Sequence, residues 1–240
     1  MSGHLNPGGQ QFRDDNGAAD PRVTAALAAY YAGQGSEQDA LTALAAARLL
    51  VPVVAVPADD PAVKGDRAAE GDKNSQMVLP TLIGRDGRPA VLAFTGLDTL
   101  ARWRPNARPV PAESDRVWRA AVADGCAVVI DVAGPVPLAV EGTRLAALAA
   151  GQPVPSAHED GDVHAEVEAA IATEPVIAGF SLAPSQQVDL AIRLHLAAVN
   201  RGGGDWRPAV NHVARSIAGR LAGRLRRGVE FSVTRDPIGS

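Results

Sequence analysis

At 240 residues, with 46% apolar and 21% charged residues, the chain has globular values and enough length for one large or two small domains, each with its own core. Net charge is −4 but unevenly placed: residues 201–240 carry eight Arg against three acids, a local +5, which leaves −9 on the first 200. A single cysteine, Cys126, excludes an intrachain disulfide, and no apolar run approaches the roughly 20 residues of a membrane-spanning helix.

Residues 1–19, rich in Gly, Asn and Gln, read as a flexible lead-in. Asp20-Pro21 reads as a helix cap followed by proline in the first helical position, and Val23, Leu27, Tyr30 and Tyr31 share one face of the helix that ends at Gly33. Ser36 and Asp39 have capping-box spacing, opening a second helix whose Leu41, Leu44 and Arg48 lead into LLVPVVAV, an apolar strand. Residues 57–75 are polar and punctuated by Pro and Gly, the pattern of a long exposed loop.

The stretch Met77–Trp103, MVLPTLIGRDGRPAVLAFTGLDTLARW, predicts two strands joined at Asp86-Gly87 and then a capped helix. Pro80 places the first strand at a sheet edge or marks a bulge. Thr95 and Asp98 fit an N-cap, with Leu97, Leu100 and Ala101 inward and Pro105 ending the helix near Trp103. RPNARPVPAES reads as a Pro-rich connector, followed by a helix from Ser114 with Val117, Trp118, Ala121 and Val122 inward, closing at Gly125. CAVVIDV is a buried strand, and PVPLAVEG with a short Ala-Leu helix completes a first domain over 20–150.

A linker is expected at 151–162 and a second domain at 163–240. Val163, Val167, Ala170 and Ile171 mark a helix; Val176 to Leu182 and Val188 to Leu196 alternate as strands; the longest helix runs from Asp205 to about Arg227; VEFSVTR is the last strand. The fold class is α+β: two small domains, each a mixed, largely antiparallel sheet packed with helices.

ARLLVPVVAV, KNSQMVLPTLIGRDGRPAVLAFTGLDTLARWRPNARPVP and AVADGCAVVIDVAGPVPLAVEG resemble the SseB N-terminal domain in its actinobacterial form, over roughly residues 20–150. The most specific part is AFTGLDTLARW, matching the family's Phe-Thr pair, small residue and helix ending in Trp. The family takes its name from enhanced sensitivity to serine, and the resemblance supplies no catalytic residues to carry over. A secretion translocon component shares the name but not the character of this chain.

The P-loop, dinucleotide, metalloprotease and nucleophile-elbow motifs are absent from the sequence. Four polar sets remain. Asp189, Arg193 and His195 share the polar parity of one strand and are a candidate ligand groove, against the plainer reading of a wet sheet face. Arg215, Arg220, Arg224, Arg226 and Arg227 form a candidate basic surface, against cations that stabilise a helix end or cover apolar surface with their stems. His158 and His164, with Glu159, Asp160, Asp162 and Glu166, are dense in ligand atoms but meet neither zinc nor calcium spacing. Arg201 with Gly202, Gly203 and Gly204 resembles an anion-binding turn, which Asp205 at the cap opposes.

The expectation is a cytoplasmic, non-enzymatic protein that contacts another protein or a second copy of itself, or senses a small metabolite, with no cofactor, metal or membrane. The alternatives are RNA or ribosome association through the Arg-rich segment and an enzyme of amino-acid or sulfur metabolism.

Overall fold

A computed structural model describes residues 12, 15–57, 75–78, 80–84, 87–197 and 205–235. Among these are seven helices and three sheets of mixed or antiparallel strands, an α+β fold. The chain divides into two compact units, Met1–Ala28 with Thr42–Pro153 and Ala29–Leu41 with Val154–Ser240, so the turn between the first two helices belongs to the second unit. Much of the expected lead-in, residues 58–74 of the expected long loop, Asp86 of the expected turn, and Arg201 to Gly204 lie outside the described residues.

Helix α1 (Pro21–Tyr31) opens on Asp20, whose carboxylate accepts the Arg22 amide at 2.8 Å; that bond holds the Asp20 carboxyl below its ordinary pKa. Val23, Leu27 and Tyr30 are buried, but Tyr31 is exposed. Successive helical residues lie 100° apart, so Tyr30 and Tyr31 cannot both face the middle of one stripe. Helix α2 (Glu37–Ala45) has its capping box: the Ser36 hydroxyl donates to Asp39 at 2.6 Å and accepts the Asp39 amide at 3.1 Å, while the Asp39 carboxylate receives the Ser36 amide.

Strand β1 (Arg48–Pro57) pairs with β2 (Ser75–Val78) over its second half. Over its first half it pairs with β5 (Arg108–Glu113), part of the stretch expected to be a connector. Pro109 and Pro111 are two apart, so both missing donors point to the same side, and Pro111 faces Leu50. The Leu50 backbone is free to turn the other way. There it exchanges two hydrogen bonds with Phe94, at 2.8 and 2.9 Å.

MVLPTLI is two strands rather than one. β2 goes to β1, whereas β3 (Thr81–Ile83) forms the expected hairpin with β4 (Pro89–Ala93). The break falls at Pro80, which has no amide to continue a ladder. Gly87, at φ +80°, supplies the left-handed turn residue. β4 runs parallel to β6 (Ala127–Ile130), and β7 (Leu138–Val140) closes a sheet of order β3-β4-β6-β7.

Helices α3 (Leu97–Trp103), α4 (Ser114–Ala123) and α5 (Gly142–Ala149) complete this unit. Leu100 is buried in α3, but Leu97 and Ala101 are exposed, because a helix of seven residues has room for a narrow inward stripe only. The Phe94 ring meets Trp103 at 5.6 Å. In α4, Val117, Trp118 and Ala121 are buried while Val122, one step beyond Ala121, is exposed.

Thr95 is not the cap of α3. Gly96 takes that position without a side-chain bond, and Thr95 is drawn to Asp131 instead. The buried Asp131 carboxylate receives the Thr95 amide at 2.9 Å, the Thr95 hydroxyl at 2.7 Å and the Thr99 hydroxyl at 2.6 Å. Its own amide donates to the Ala93 carbonyl at 3.0 Å, and its φ of +48° lies in the left-handed region. At the other side of this junction Arg48 binds Asp15 at 2.7 Å and the Thr95 carbonyl at 3.1 Å, and the Leu97 amide donates to Gly17 at 2.8 Å. The last residues of the lead-in are thereby held in place.

In the second unit α6 (Gly161–Ile171), β8 (Ile177–Ala183), β9 (Leu190–Leu196), α7 (Arg207–Leu221) and β10 (Val229–Thr234) follow the expected element order. The sheet order is β10-β9-β8, with β10 parallel and β8 antiparallel to the central strand. Leu190, Ile192, Leu194 and Leu196 share a core with Val163 and Val167 of α6 and with Val210, Val213, Ile217 and Leu221 of α7. A bulge between Ile177 and Gly179 resets the alternation of β8: Val176, Phe180 and Leu182 pack against the core as expected, but Ile177 is buried and Ala178 exposed. α7 stops at Leu221, six residues short of the expected end, and turns lead from it to Gly228 at φ +95°. No described helix is long and apolar enough to cross a membrane.

Asp131→Ala is expected to lower the unfolding free energy of the first unit by about 3 kcal/mol, since it strands the Thr95 amide and hydroxyl and forces alanine into a left-handed backbone. Asp131→Asn keeps an acceptor and tolerates that backbone, so about 1–2 kcal/mol is expected. Urea titration in a Trp206→Phe background, where Trp103 and Trp118 report on this unit alone, separates the two. A loss below about 1 kcal/mol in the alanine variant contradicts the role of the carboxylate.

Candidate functional site

Helices α6 and α7 cover one face of the second unit's sheet, so alternate residues of its strands project from the other. Register places them in three rows: Gly179, His195 and Thr234; Ser181, Arg193 and Ser232; Ala183, Ala191 and Glu230. Ser181, Arg193, Ser232, Ala183 and Glu230 are exposed. His195 is buried, and its Nε2 lies 3.2 Å from the Ser181 hydroxyl.

Of the candidate groove residues, Arg193 and His195 are therefore neighbours on this face. Asp189 is not with them. It precedes β9, and its carboxylate accepts the Arg227 amide at 2.7 Å while its own amide donates to the Gly228 carbonyl. Burial pushes the Asp189 carboxyl above its ordinary pKa, against the Arg227 amide and charge, which act the other way.

The five arginines do not form one surface. Only Arg215 and Arg220 lie on α7; Arg224, Arg226 and Arg227 lie in the turns beyond it. Arg215 bonds the Asn211 carbonyl at 3.2 Å and Arg220 pairs with Glu166 at 2.8 Å. Arg226 lies over the rings of Tyr30 and Tyr31, 5.8 and 4.9 Å from their centroids, and Arg227 donates to the Gln186 carbonyl. Arg224 is held between two acids, Glu37 at 3.2 Å and Asp160 at 2.5 Å. Burial disfavours its charge, but the two carboxylates outweigh that and leave its pKa above the ordinary value. Asp160, fully buried, also caps α6 by accepting the Asp162 amide at 2.8 Å. The Tyr30 hydroxyl reaches the Gly223 carbonyl at 2.8 Å on the same turn.

The acid and histidine set is likewise dispersed. The Ser156 hydroxyl meets His158 Nδ1 at 2.9 Å and donates to Glu159, and with the Ser156 amide it holds the Glu159 carboxyl below its ordinary pKa. The His164 ring packs against Phe180, centroids 4.6 Å apart and planes tilted by 50°. Among the described residues no group of three His, Cys, Asp or Glu is placed to hold a metal.

Sequence reasoning missed Ser181, Ser232 and Glu230 as neighbours of Arg193, because cross-strand pairing is set by register rather than spacing. It also missed the Glu37–Arg224–Asp160 bridge, whose members are far apart in the chain. A cap acid just before the apolar stripe of α6 was the one local signal.

Arg224→Met, which takes the cation away from the fully buried Asp160 carboxylate, is expected to destabilise the second unit by about 3–5 kcal/mol. Arg224→Lys, a single point charge that cannot fork between two acids, should lose less. Hydrogen exchange at α6 amides reads the loss, and unchanged protection in the methionine variant contradicts it. For Asp189, a folded pKa above 3.8 means that ionisation costs folded-state stability as pH rises through the folded value. Asp189→Asn, which still accepts the Arg227 amide, should match the native chain near pH 3.5 and exceed it increasingly towards pH 7. Urea midpoints that diverge in the opposite sense rule this out.

The family model for the SseB protein N-terminal domain matches residues 23–147, which takes in every strand of the first unit. No curated protein and no solved structure matches the chain. With more than half its length inside that match, the chain belongs to the SseB family.

Proposed function

We propose that this protein is a non-enzymatic, cytoplasmic binding protein whose second unit offers an open sheet face to a protein partner or a small metabolite. The observation that carries this reading is the one-sided helix cover of the β10-β9-β8 sheet: helices pack on one face, and on the other Arg193, Ser181, Ser232, Ala183 and Glu230 are exposed beside a buried row at Gly179 and His195. A flat face of this kind suits contact better than turnover, which needs groups converging in a water-excluding cleft. RNA association is less favoured, because Arg220, Arg224, Arg226 and Arg227 already serve acids, aromatic faces or carbonyls of their own unit.

One contact favours an enzyme as the second reading. Ser181 and His195 lie as a nucleophile and its base would. Labelling by a fluorophosphonate probe, lost in Ser181→Ala, would support it.

The test is gentle affinity capture of the full chain from its native organism, with and without RNase, analysed by mass spectrometry for proteins and small molecules. A protein or metabolite retained after RNase is the expected result. Capture of ribosomal proteins alone, lost on RNase treatment, replaces this reading with the RNA one.

A further inference from the structure

Arg193 stands at the centre of the open face, with Ser181 opposite it on β8 and Ser232 opposite it on β10. All three are exposed, and among the described residues no carboxylate lies within ion-pair distance of the guanidinium. The two acids nearest in register do not neutralise it. Glu230 is its diagonal neighbour beside Ala191, and the Asp189 carboxylate, beyond Ala191, is taken by the Arg227 amide.

A guanidinium is a planar fork of donors that matches the two oxygens of a carboxylate, and hydroxyls on the strands to either side can add donors to the same group. His195 contributes indirectly. Its Nε2 lies 3.2 Å from the Ser181 hydroxyl; with the proton on Nε2 it donates to the hydroxyl oxygen, restrains it and leaves the hydroxyl's own hydrogen for a ligand. The small side chains of Ala183 and Ala191 in the next row let a ligand approach the strand backbone closely. Glu230 sets the charge. One diagonal step from Arg193, it repels a group bearing two negative charges more than a group bearing one.

We propose that Arg193, Ser181 and Ser232 form a recognition site for a single carboxylate, presented either by a small acid or by an acidic residue or chain end of a bound peptide. The site rests on the binding reading above and names the chemistry of what is bound. Arg193 is its charge partner, the two serines are its flanking donors, and Glu230 discriminates against phosphoryl groups.

The test follows the Arg193 side-chain Nε–H and the Ser181 and Ser232 amides by NMR in the 15N-labelled full chain. The probes are sodium acetate, the peptide acetyl-Gly-Val-Glu-Val-Gly-amide, its Gln counterpart and inorganic phosphate. Saturable shifts with acetate or with the Glu peptide are expected, weakened about tenfold in Arg193→Gln and strengthened about threefold in Glu230→Gln. Acetate and peptide binding alike assigns a small acid; binding of the peptide alone assigns a protein ligand. No shift with either, equal shifts with the Gln peptide, tighter binding of phosphate, or unchanged binding by Arg193→Gln each overturns the site. If RNase-resistant capture from the native organism succeeds equally with Arg193→Gln, the site fails while the binding reading stands; if neither chain captures a ligand, the reading itself fails.

Discussion

The first unit depends on one buried carboxylate. Asp131 ends β6 in a left-handed turn and gathers the Thr95 amide and the hydroxyls of Thr95 and Thr99. Because β4 and β6 are parallel, each needs a way out of the sheet at the same end. The carboxylate fastens the two exits to each other: the chain leaving β4 enters α3 and the chain leaving β6 turns away towards β7. Phe94, one residue before Thr95, then bridges back to Leu50 of β1, so three segments far apart in sequence are fixed within a few residues. The Phe-Thr-Gly run is thus explained by its neighbours: an aromatic for the core, a hydroxyl for Asp131, and a glycine where a Cβ would meet the Ala19 amide at 2.8 Å.

The second unit uses its charges differently. Arg224 joins Glu37 to the Asp160 cap of α6, so a turn from the N-terminal part of the chain and the first helix of the later segment share one cation. Such a bridge adds little over an apolar core in energy, but it admits only one placement of the three residues. Arg226 on the two tyrosines and Arg227 on the Gln186 carbonyl fix the same turn. The local excess of arginine therefore has a structural account for most of its members.

Element order was legible in the sequence wherever periodicity ran long enough to be unambiguous. The capping box at Ser36, the hairpin at Gly87, the apolar alternation of β9 and the order of the second unit all follow from local chemistry. What escaped was decided by partners distant in the chain. Pro109 and Pro111 read as a connector until β1 is seen to need nothing from their nitrogens. Thr95 has the right spacing for a cap, yet a buried carboxylate competes better for its hydroxyl than exposed helix amides do. α7 ends at Leu221 although Leu225, four residues on, still joins the core; the turns that carry it there also set Arg224 between its two acids and Arg226 on the tyrosines.

The same contrast bears on Arg193. Along β9 it was one polar residue in an alternating strand, and parity alone grouped it with Asp189. Register separates the two: Asp189 closes the joint between β9 and the turn before β10, while Arg193 faces outward between two serines. Most arginines of this unit are engaged by an acid, a carbonyl or an aromatic face of their own chain. A guanidinium exposed at the centre of a row with small neighbours costs the fold little, and among the described residues no acid pairs with it.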